Sequence, residues 1–502
     1  MAFGYRQLAL ATVFATGLAG AAAHAQENAI TIVLPEQVNN LEPCQASRSN
    51  VGRVIKQNIN EALTRILPAD GSVEPLLATG WEQVDEKTWR FTLQEGVKFH
   101  DGADFNAEAV AFSIDRLMSG DITCDDRSKF GDVTLTPTVI DEHTIEIATD
   151  EPVPILPTLM GMVMIVSPNT PADQIVNDPV GTGPYTVSEF TTETVVLDRF
   201  DGYWGEMPEV AKATYVWRTE SALRAAMVET GEADLTPAIA IQDATNPETD
   251  FAYLNSETTR MRIDAQIPPL DDVRVRKALN LSIDWEGLAM LFGPDVIRAS
   301  QMVVPGILGH NPDIEPWPYD PEQAVALLEE ARADGVPVDA TINVIARTAF
   351  FPNGQESVEA MMAMWEAVGF NLELTTLDVA GWVRYLDKPF PQDRGPNIFQ
   401  QQHDNNSGDA VFTAYVMYAS DGQYSTVDNP ELDQLLDRAT SATGQERAEA
   451  FQEVFRVVHD EVIADVPMFH MIGYTRVGPR LEWRPTIATN SQIPLADIGF
   501  RD

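Results

Sequence analysis

The sequence predicts an α/β protein of two lobes, and three observations support this. Short apolar runs rich in β-branched residues alternate with segments of helical periodicity, which is typical of helices packed on a mainly parallel sheet. The 502 residues exceed what one hydrophobic core serves, since single cores stop growing near ~250 to 300 residues. The segment Ile267-Pro-Pro-Leu-Asp-Asp272 interrupts any regular element, so we expect the boundary between the lobes near residues 262–272.

In the first half of the chain, the apolar pattern predicts a mixed series of strands and helices. Asn106 has the side chain of an N-cap, and Val110, Ile114 and Leu117 follow at helical spacing, so a helix should begin at Ala107. The full series is a buried strand at 29–34, a helix at 51–67, a hairpin at 81–93, a helix at 107–118, a second hairpin at 138–147, a strand pair at 181–197 and a helix at 223–229.

Beyond the boundary, the pattern predicts long helices and a parallel strand pair. Val275, Leu279, Ile283 and Leu288 lie on one face of a helix predicted at 273–292. The tail that follows residue 480 has little periodicity and is expected to return to the first lobe. The other predicted elements are a helix at 322–333, opened by Asp320 and Pro321, and a strand–helix–strand unit at 340–346, 357–368 and 371–376.

The first 25 residues have the features of a cleaved secretory signal peptide. Arg6 precedes an apolar run at 8–18, and small residues then lead to Ala23-His24-Ala25. The apolar run is about ten residues long, whereas a membrane-spanning helix takes about 20. We therefore expect a mature chain that begins at Gln26, has no membrane anchor and works in a periplasm.

The charge balance excludes two classes of partner. The chain has 76 acidic against 33 basic side chains and a net charge of −43 at pH 7. Such a surface repels nucleic acid and anionic lipid, so neither is an expected partner. Solubility in a salty medium explains the charge adequately, so the total does not by itself predict a cationic ligand.

Cys44 and Cys124 are the two cysteines of the chain. In an oxidising compartment, two such residues favour one disulfide. A pair of buried free thiols is the alternative, because the sequence does not determine the distance between the two Cα atoms. No other metal ligands lie at close spacing, so we expect no metal site and no cofactor.

Several strings, spread in order over the mature chain, resemble one protein family. They are Pro75-Leu-Leu-Ala-Thr-Gly-Trp81, Trp89-Arg-Phe-Thr-Leu93, Gly96-Val-Lys-Phe-His-Asp-Gly102, Phe105-Asn-Ala-Glu-Ala-Val-Ala-Phe-Ser-Ile-Asp-Arg-Leu117, Val180-Gly-Thr-Gly-Pro-Tyr185, Gly202-Tyr-Trp204, Arg224-Ala-Ala-Met-Val-Glu-Thr-Gly-Glu-Ala-Asp234, Asp272-Val-Arg-Val-Arg-Lys-Ala-Leu279 and Pro316-Trp-Pro-Tyr-Asp-Pro321. Together they resemble solute-binding protein family 5, which holds receptors for dipeptides, oligopeptides, glutathione and nickel complexes.

The resemblance implies a two-lobed periplasmic-binding-protein fold, type II-like, with an extra subdomain in lobe one. The implied domains are a signal peptide at 1–25, lobe one at 26–265 with the subdomain at about 68–175, lobe two at 266–474 and a C-terminal return at 475–502. The protein would be a monomer that closes over a small molecule or short peptide and delivers it to an inner-membrane ABC permease. Such a receptor needs no catalytic residue.

The resemblance also implies two ligand-binding residues. In the peptide receptors an aspartate of the second lobe holds the ligand's ammonium group, and the loop His403-Asp-Asn-Asn-Ser-Gly-Asp409 places Asp404 at that point. Arg347 matches the arginine that holds the ligand's carboxylate. The chain departs from the peptide receptors at residues 400–402, where three glutamines replace Gly-Trp, and this favours a polar guest.

Further candidates come from strand ends, since ligands of open α/β sheets sit there. His403 has no partner at metal-ligand spacing, so it is expected to contact the ligand and not a metal. These added candidates are Asn39, Asn40, Gln45, Trp382, Tyr385, His403, Asn405 and Asn406.

Other functions stay open at this point. An opine, an oligosaccharide or a nickel complex is an alternative ligand, and a chaperone-like hold on unfolded peptide is an alternative role. A secreted hydrolase is the competing class, but the chain contains neither Gly-x-Ser-x-Gly nor His-Glu-x-x-His.

Overall fold

A computed structural model describes residues 28–68, 71–130, 133–348, 350–351, 353–405 and 408–501, so the predicted signal peptide lies outside the described residues. The strands are β1 (Ala29–Leu34), β2 (Thr64–Ile66), β3 (Val73–Pro75), β4 (Ala78–Asp85), β5 (Thr88–Leu93), β6 (Leu135–Asp141), β7 (Thr144–Thr149), β8 (Tyr185–Phe190), β9 (Thr194–Arg199), β10 (Lys212–Trp217), β11 (Leu235–Ile239), β12 (Asp250–Ile263), β13 (Ile297–Arg298), β14 (Thr341–Arg347), β15 (Asn371–Leu377), β16 (Asn397–Asp404), β17 (Asp465–Val477), β18 (Leu481–Glu482) and β19 (Gly499–Phe500). The helices are α1 (Ser49–Ile55), α2 (Ala107–Met118), α3 (Leu156–Leu159), α4 (Ser221–Glu229), α5 (Val273–Leu281), α6 (Trp285–Ala289), α7 (Pro321–Ala333), α8 (Gly354–Ala367), α9 (Val379–Leu386), α10 (Val411–Tyr418), α11 (Pro430–Ser441) and α12 (Gly444–Val457).

One large sheet runs through both lobes. Its strand order is β15-β14-β16-β12-β17-β11-β1-β10-β9-β8, and β13 also pairs with β17. Only the pairs β1–β10, β1–β11, β14–β15 and β14–β16 are parallel among the described strands of this sheet. The prediction of a mainly parallel sheet is therefore wrong, because the long strands β12 and β17 run antiparallel to their neighbours.

Strands β12 and β17 connect two separate hydrophobic cores. The start of β12 packs Phe251 against the first-lobe core, whereas Met261 and Ile263 at its end lie in a second-lobe core. Strand β17 runs the opposite way, from Val466 in the second-lobe core to Val477 in the first. Their pairing changes register between Leu254 and Thr258 and again before Arg260, so the ladder is least regular between the cores.

The first lobe contains an added unit and receives the C-terminal tail. The antiparallel sheet β4-β5-β7-β6 and helix α2 share a core of their own, which includes Phe91, Ile114 and Ile145. In the tail, Leu495 is buried in the first-lobe core, and its backbone N–H donates to Asn58 Oδ1 (2.8 Å).

Two predicted helices end earlier than expected. Helix α1 stops at Ile55, because Lys56 is extended and Gln57 has a left-handed φ of 63°. The helix predicted at 273–292 is broken into α5 and α6, because Asp284 caps a new helix by accepting from the Gly287 N–H (3.1 Å). Apolar periodicity continues across both points, so it does not register the breaks.

A buried carboxylate contacts two of the strings that resemble the family, the one at 180–185 and the one at 202–204. Glu61 is 1% exposed and accepts hydrogen bonds from the Thr182 hydroxyl (2.8 Å), the Tyr203 hydroxyl (2.9 Å) and the Trp204 indole N–H (2.9 Å). Burial raises the pKa of Glu61 to about 7, while the three donors act in the opposite direction. Beside it, Gly181 passes so close to the backbone at Ile59 that a Cβ atom would lie 2.0 Å from the Ile59 carbonyl oxygen.

We expect Glu61→Gln to lower the free energy of unfolding by about 1–3 kcal/mol, because an amide NH2 would face a buried donor in place of a carboxylate oxygen. Urea unfolding followed by tryptophan fluorescence measures this. The control is Glu74→Gln, which removes only an exposed ion pair with Arg65 and should cost under about 1 kcal/mol. Equal losses in the two variants would contradict the structural role of Glu61.

Candidate functional site

Two cavities lie where the lobes face each other. The first is here called the lysine pocket, and its walls include Lys56 and Lys129 from lobe one, Gly408 from lobe two and the tail segment at 487–492. The second is here called the aromatic pocket, and it is lined by Glu257, Gln402 and, among others, Phe292, Phe350, Phe351 and Tyr474. The aromatic pocket is the roomier of the two.

Two carboxylates face each other across neighbouring strands, and one of them, that of Glu257, lines the aromatic pocket. Asp404 ends strand β16, and the antiparallel register places it directly opposite Glu257 of β12. Directly opposite residues on one face have Cβ atoms about 4.5–5.5 Å apart. The Ser256 hydroxyl donates to Asp404 Oδ1 (2.5 Å), and Asn255 Nδ2 donates to Glu257 (3.2 Å). The arrangement is suited to a cationic group that lies between two acids.

The proximity of the two acids changes the titration of one of them. Burial, and then repulsion from Asp404, raise the pKa of Glu257 to about 7. Two carboxylates that share a site resist simultaneous ionisation unless a cation lies between them. Near neutral pH, Glu257 is therefore ready to lose its proton when such a cation arrives.

Arg347 ends strand β14, and its guanidinium group lies against aromatic rings. The guanidinium carbon is 4.7 Å from the centre of the Phe350 ring and 5.4 Å from that of Trp382. Its Nε atom is buried without a hydrogen-bond partner among the described residues, and none of their carboxylates forms an ion pair with it. Stacked and preorganised in this way, a guanidinium group is suited to bind a carboxylate from outside the protein.

The separation of the two charged ends follows from the sheet. Ile345 pairs with Phe399, so the parallel register continued along β14 places Arg347 level with Gln401. Asp404 lies three residues further along β16, an odd number, so its side chain leaves the opposite face of the sheet from that of Arg347. At about 3.3 Å per residue and 4.8 Å between strands, the two backbone positions are roughly 11 Å apart.

Most of the other predicted site residues use their polar atoms inside the protein. Gln45 is 4% exposed and donates to the Thr123 carbonyl oxygen (2.8 Å), while its own Oε1 accepts from Asn40. Asn405 is 1% exposed, accepts from the Val304 N–H and donates to the Thr413 hydroxyl. Satisfied and buried polar groups of this kind are structural, so we do not carry Gln45, Asn40 or Asn405 into the proposed site.

The two aromatic candidates shape the site indirectly. Trp382 is 5% exposed, donates its indole N–H to the Gln400 carbonyl oxygen (2.9 Å) and stacks on Phe399. Tyr385 packs on the same cluster, and its carbonyl oxygen accepts from Arg262 (2.5 Å). Trp382 thus supports the Arg347 guanidinium and has little surface left for a ligand.

His403 and Asn39 lie away from the acidic pair. Successive side chains of a strand point to opposite faces, so His403 does not share the face of Asp404. Burial lowers the pKa of His403 to about 3, and its Nε2 atom is buried without a partner in the described part of the chain. Asn39 is exposed and lines neither cavity. Asn406 lies outside the described residues.

Of the three glutamines at 400–402, one reaches a cavity. Gln400 accepts from the Arg347 backbone N–H (3.0 Å) and donates to the Gly354 carbonyl oxygen, and Gln401 accepts from Arg260 (2.8 Å). Gln402 lines the aromatic pocket. The three glutamines were expected to give the binding site a polar surface, and of the three it is Gln402 that lines a cavity.

The structure joins Cys44 and Cys124 by a disulfide, with 5.2 Å between their Cα atoms. The bond ties the segment before α1 to the 3-10 turn at Asp125–Phe130. That turn carries Lys129 to the wall of the lysine pocket. The disulfide thus positions one side of the cleft.

Comparison with known proteins decides the family. Residues 72–426 match the profile described as bacterial extracellular solute-binding proteins, family 5 Middle. The chain belongs to this family. The family 5 protein is 26% identical to the dipeptide-binding protein of Escherichia coli strain K12, over 78% of this chain and 80% of the relative. It is 25% identical to heme-binding protein A of Haemophilus influenzae (85% and 84% covered) and 25% identical to the glutathione-binding protein of Salmonella typhi (86% and 87% covered).

Solved structures show the same fold. HbpA2 of Haemophilus parasuis superposes with a TM-score of 0.83 at 19% identity, over 94% of this chain and all of that one. Members of family 5 are binding proteins, and the described part of this family 5 protein holds no cluster of three or more His, Cys, Asp or Glu side chains able to bind a metal. No helix in the described ranges has the length and hydropathy needed to span a bilayer.

Three cleft residues were missed by the sequence reasoning, namely Lys56, Lys129 and Glu257. Glu257 lies in the middle of a strand and has no motif around it, so only its pairing with Asp404 reveals it. The two lysines are 73 positions apart in the chain and share no pattern. Because the chain has 76 acidic side chains, a basic residue without an acidic partner would mark a candidate binding site. The sequence does not show which basic residues lack such a partner.

Proposed function

We propose that this family 5 protein is the extracytoplasmic receptor of an ATP-driven importer and binds a short peptide or similar zwitterion between its lobes. The observation that carries the proposal is that Asp404 and Arg347, which have opposite charges, are the last residues of two strands of one sheet. A ligand that lies across these strand ends can contact both side chains, although they leave opposite faces of the sheet. The dipeptide- and glutathione-binding relatives support the same ligand class.

In the proposed complex, the two ends of the ligand are bound by different groups. Asp404 and Glu257 hold the ammonium group, and Arg347 holds the carboxylate through charge-assisted hydrogen bonds. The roughly 11 Å between the two backbone positions suits a ligand of two or three residues, since an extended chain spans at most about 3.3–3.6 Å per residue. The aromatic pocket beside Arg347 takes an apolar side chain.

In this proposal, closure of the two lobes signals to the permease that a ligand is bound. Strands β12 and β17 cross between the cores and are irregular in register between Leu254 and Arg260, which makes this region the proposed hinge. The proposed lobes are 26–265 and 266–474, with the tail at 475–502 returning to lobe one. Closure then presents a different surface to the permease. We place the mature protein in the periplasm, after removal of residues 1–25.

The proposed binding of the ligand's two ends by Asp404 and Arg347, here called the clasp, is tested by ligand binding to the purified mature protein. A panel of di- and tripeptides, glutathione, opines, oligosaccharides and chelated nickel is screened by thermal unfolding, and the dissociation constants of hits are measured by calorimetry. Asp404→Asn keeps the acceptor for Ser256, and Arg347→Met keeps the contact with Phe350. Each variant should weaken peptide binding at least about 30-fold, because truncating one partner of a desolvated charge pair costs 2–5 kcal/mol or more.

The matched control for the clasp is Arg332→Gln, which removes an exposed ion pair with Asp339 on lobe two. It should leave the dissociation constant within twofold. Stabilisation by sugars or opines alone, with no response to any peptide, would refute the zwitterion proposal. Unchanged peptide affinity in both clasp variants would refute the assigned residues.

We also expect peptide binding to weaken as the pH falls below about 7. Glu257 has a raised pKa in the free protein, and the bound ammonium group favours its ionised form. Binding therefore releases a proton, and affinity is greatest above the free-state pKa. The groups that surround Glu257 are Asp404, Arg53 and Tyr253. The dissociation constant should rise about three- to tenfold from pH 8 to pH 6.

Calorimetry in buffers of different ionisation enthalpy counts the released proton directly. Glu257→Gln should remove the dependence between pH 8 and pH 6 and bind peptide more weakly at pH 8. A pH profile that is the same in the variant and the unaltered protein would rule Glu257 out as the titrating group.

A further inference from the structure

The lysine pocket contains two ammonium groups that the protein does not neutralise by contact. Across the described ranges, neither Lys56 Nζ nor Lys129 Nζ has a carboxylate within 4.0 Å or a hydrogen-bond acceptor, and no unprinted partner is assigned to either residue. Both side chains are half-buried. Burial lowers the pKa of Lys56. Burying an ammonium group without a partner is costly, and an anion from outside would offset that cost.

Local structure holds both lysines at the pocket. Lys56 follows α1 directly, and the left-handed Gln57 turns the chain there. Lys129 lies in the turn that the disulfide at Cys124 anchors. The Ser47 N–H donates to Asp126 Oδ1 (2.9 Å) within the same turn. A turn after α1 and a disulfide beside the 3-10 turn therefore bring the two positive charges to the same pocket.

The fixed charges of the pocket leave an excess of positive charge. Among the residues that the structure describes, four charged side chains line it: Lys56, Lys129, Arg65 and Asp126. Arg65 is already paired with Glu74 (3.0 Å). Asp126 is 3% exposed, and its Oδ2 atom is buried without a donor in the described part of the chain. Two ammonium groups thus share one carboxylate, and a single ligand anion completes the balance.

The position of the pocket relative to Asp404 indicates which part of the ligand reaches it. Gly408, four positions after Asp404 in the chain, lines the lysine pocket. The charge of Asp404 also favours the ionised form of Lys56 and so acts against the lowering of its pKa by burial. When a ligand ammonium group binds Asp404, it competes for the charge that had stabilised Lys56. The side chain nearest to that ammonium group is the side chain of the ligand's first residue.

We propose that the lysine pocket binds an acidic side chain on the first residue of the ligand, so that the receptor selects peptides that begin with glutamate or aspartate. This inference rests on the proposed function, since it assumes a peptide whose ammonium group is held at Asp404. It narrows the ligand to peptides with an acidic first residue, a distinction that Asp404 and Arg347 do not make.

The test compares dissociation constants for Glu-Ala and Gln-Ala, which differ in charge but hardly in size. The unaltered protein should bind Glu-Ala at least tenfold more tightly than Gln-Ala. In Lys56→Met/Lys129→Met this ratio should fall to about one or two. Lys98→Met makes the same kind of charge change at an exposed pair with Asp104 on the first lobe and should keep the ratio.

The outcomes separate the inference from the proposed function. Equal affinity for Glu-Ala and Gln-Ala in the unaltered protein overturns the inference, whether or not the double variant folds, while peptide binding itself still supports the receptor. A preference that appears only between Ala-Glu and Ala-Gln overturns the assignment to the first residue. Failure of every dipeptide, every tripeptide and glutathione to bind overturns both proposals.

Discussion

The backbone ladder of β12 and β17 is the constraint on which the rest of this structure depends. These two strands pair on both sides of a register shift and so connect the core of one lobe to the core of the other. Because β12 also pairs with β16, the ladder positions Asp404 opposite Glu257 at the place where the lobes meet. The irregular register between Leu254 and Arg260 is the region proposed as the hinge. In this proposal, support of the site and movement of the lobes depend on one pair of strands.

Many basic residues of this acidic chain form ion pairs or hydrogen bonds within the protein. Buried arginines form ion pairs with single acids, as Arg116 does with Glu42, Arg447 with Asp409 and Arg476 with Asp250. Such pairs tie distant segments together, and removing one partner would leave a buried charge. Arg347, Lys56 and Lys129 form no such ion pair within the described residues although each is partly buried. Arg384 and Arg438, which also lack one, are exposed to solvent.

Local patterns predicted individual elements well wherever a side chain marks the end. Asn106 accepts from the Ala109 N–H (3.0 Å) and begins α2 as expected, and the strand–helix–strand unit of β14, α8 and β15 forms with parallel strands. The misses have a common cause. At Lys56 and at residues 282–284 the chain leaves the helix while the apolar spacing continues, so a pattern of spacing alone does not detect the change.

The sequence by itself determined the family and the two-lobed α/β class, and it offered Asp404 and Arg347 as candidate site residues, because these depend on strings of neighbouring residues. It could not show that Gln45 and Asn405 are used up by internal hydrogen bonds, since their partners lie 78 and 101 positions away. Only the tertiary structure decided the role of Glu257, which depends on strand register, and the grouping of Lys56 with Lys129, which depends on a disulfide and a turn. Charge and burial at a site are properties of neighbours in space, and a linear pattern does not contain them.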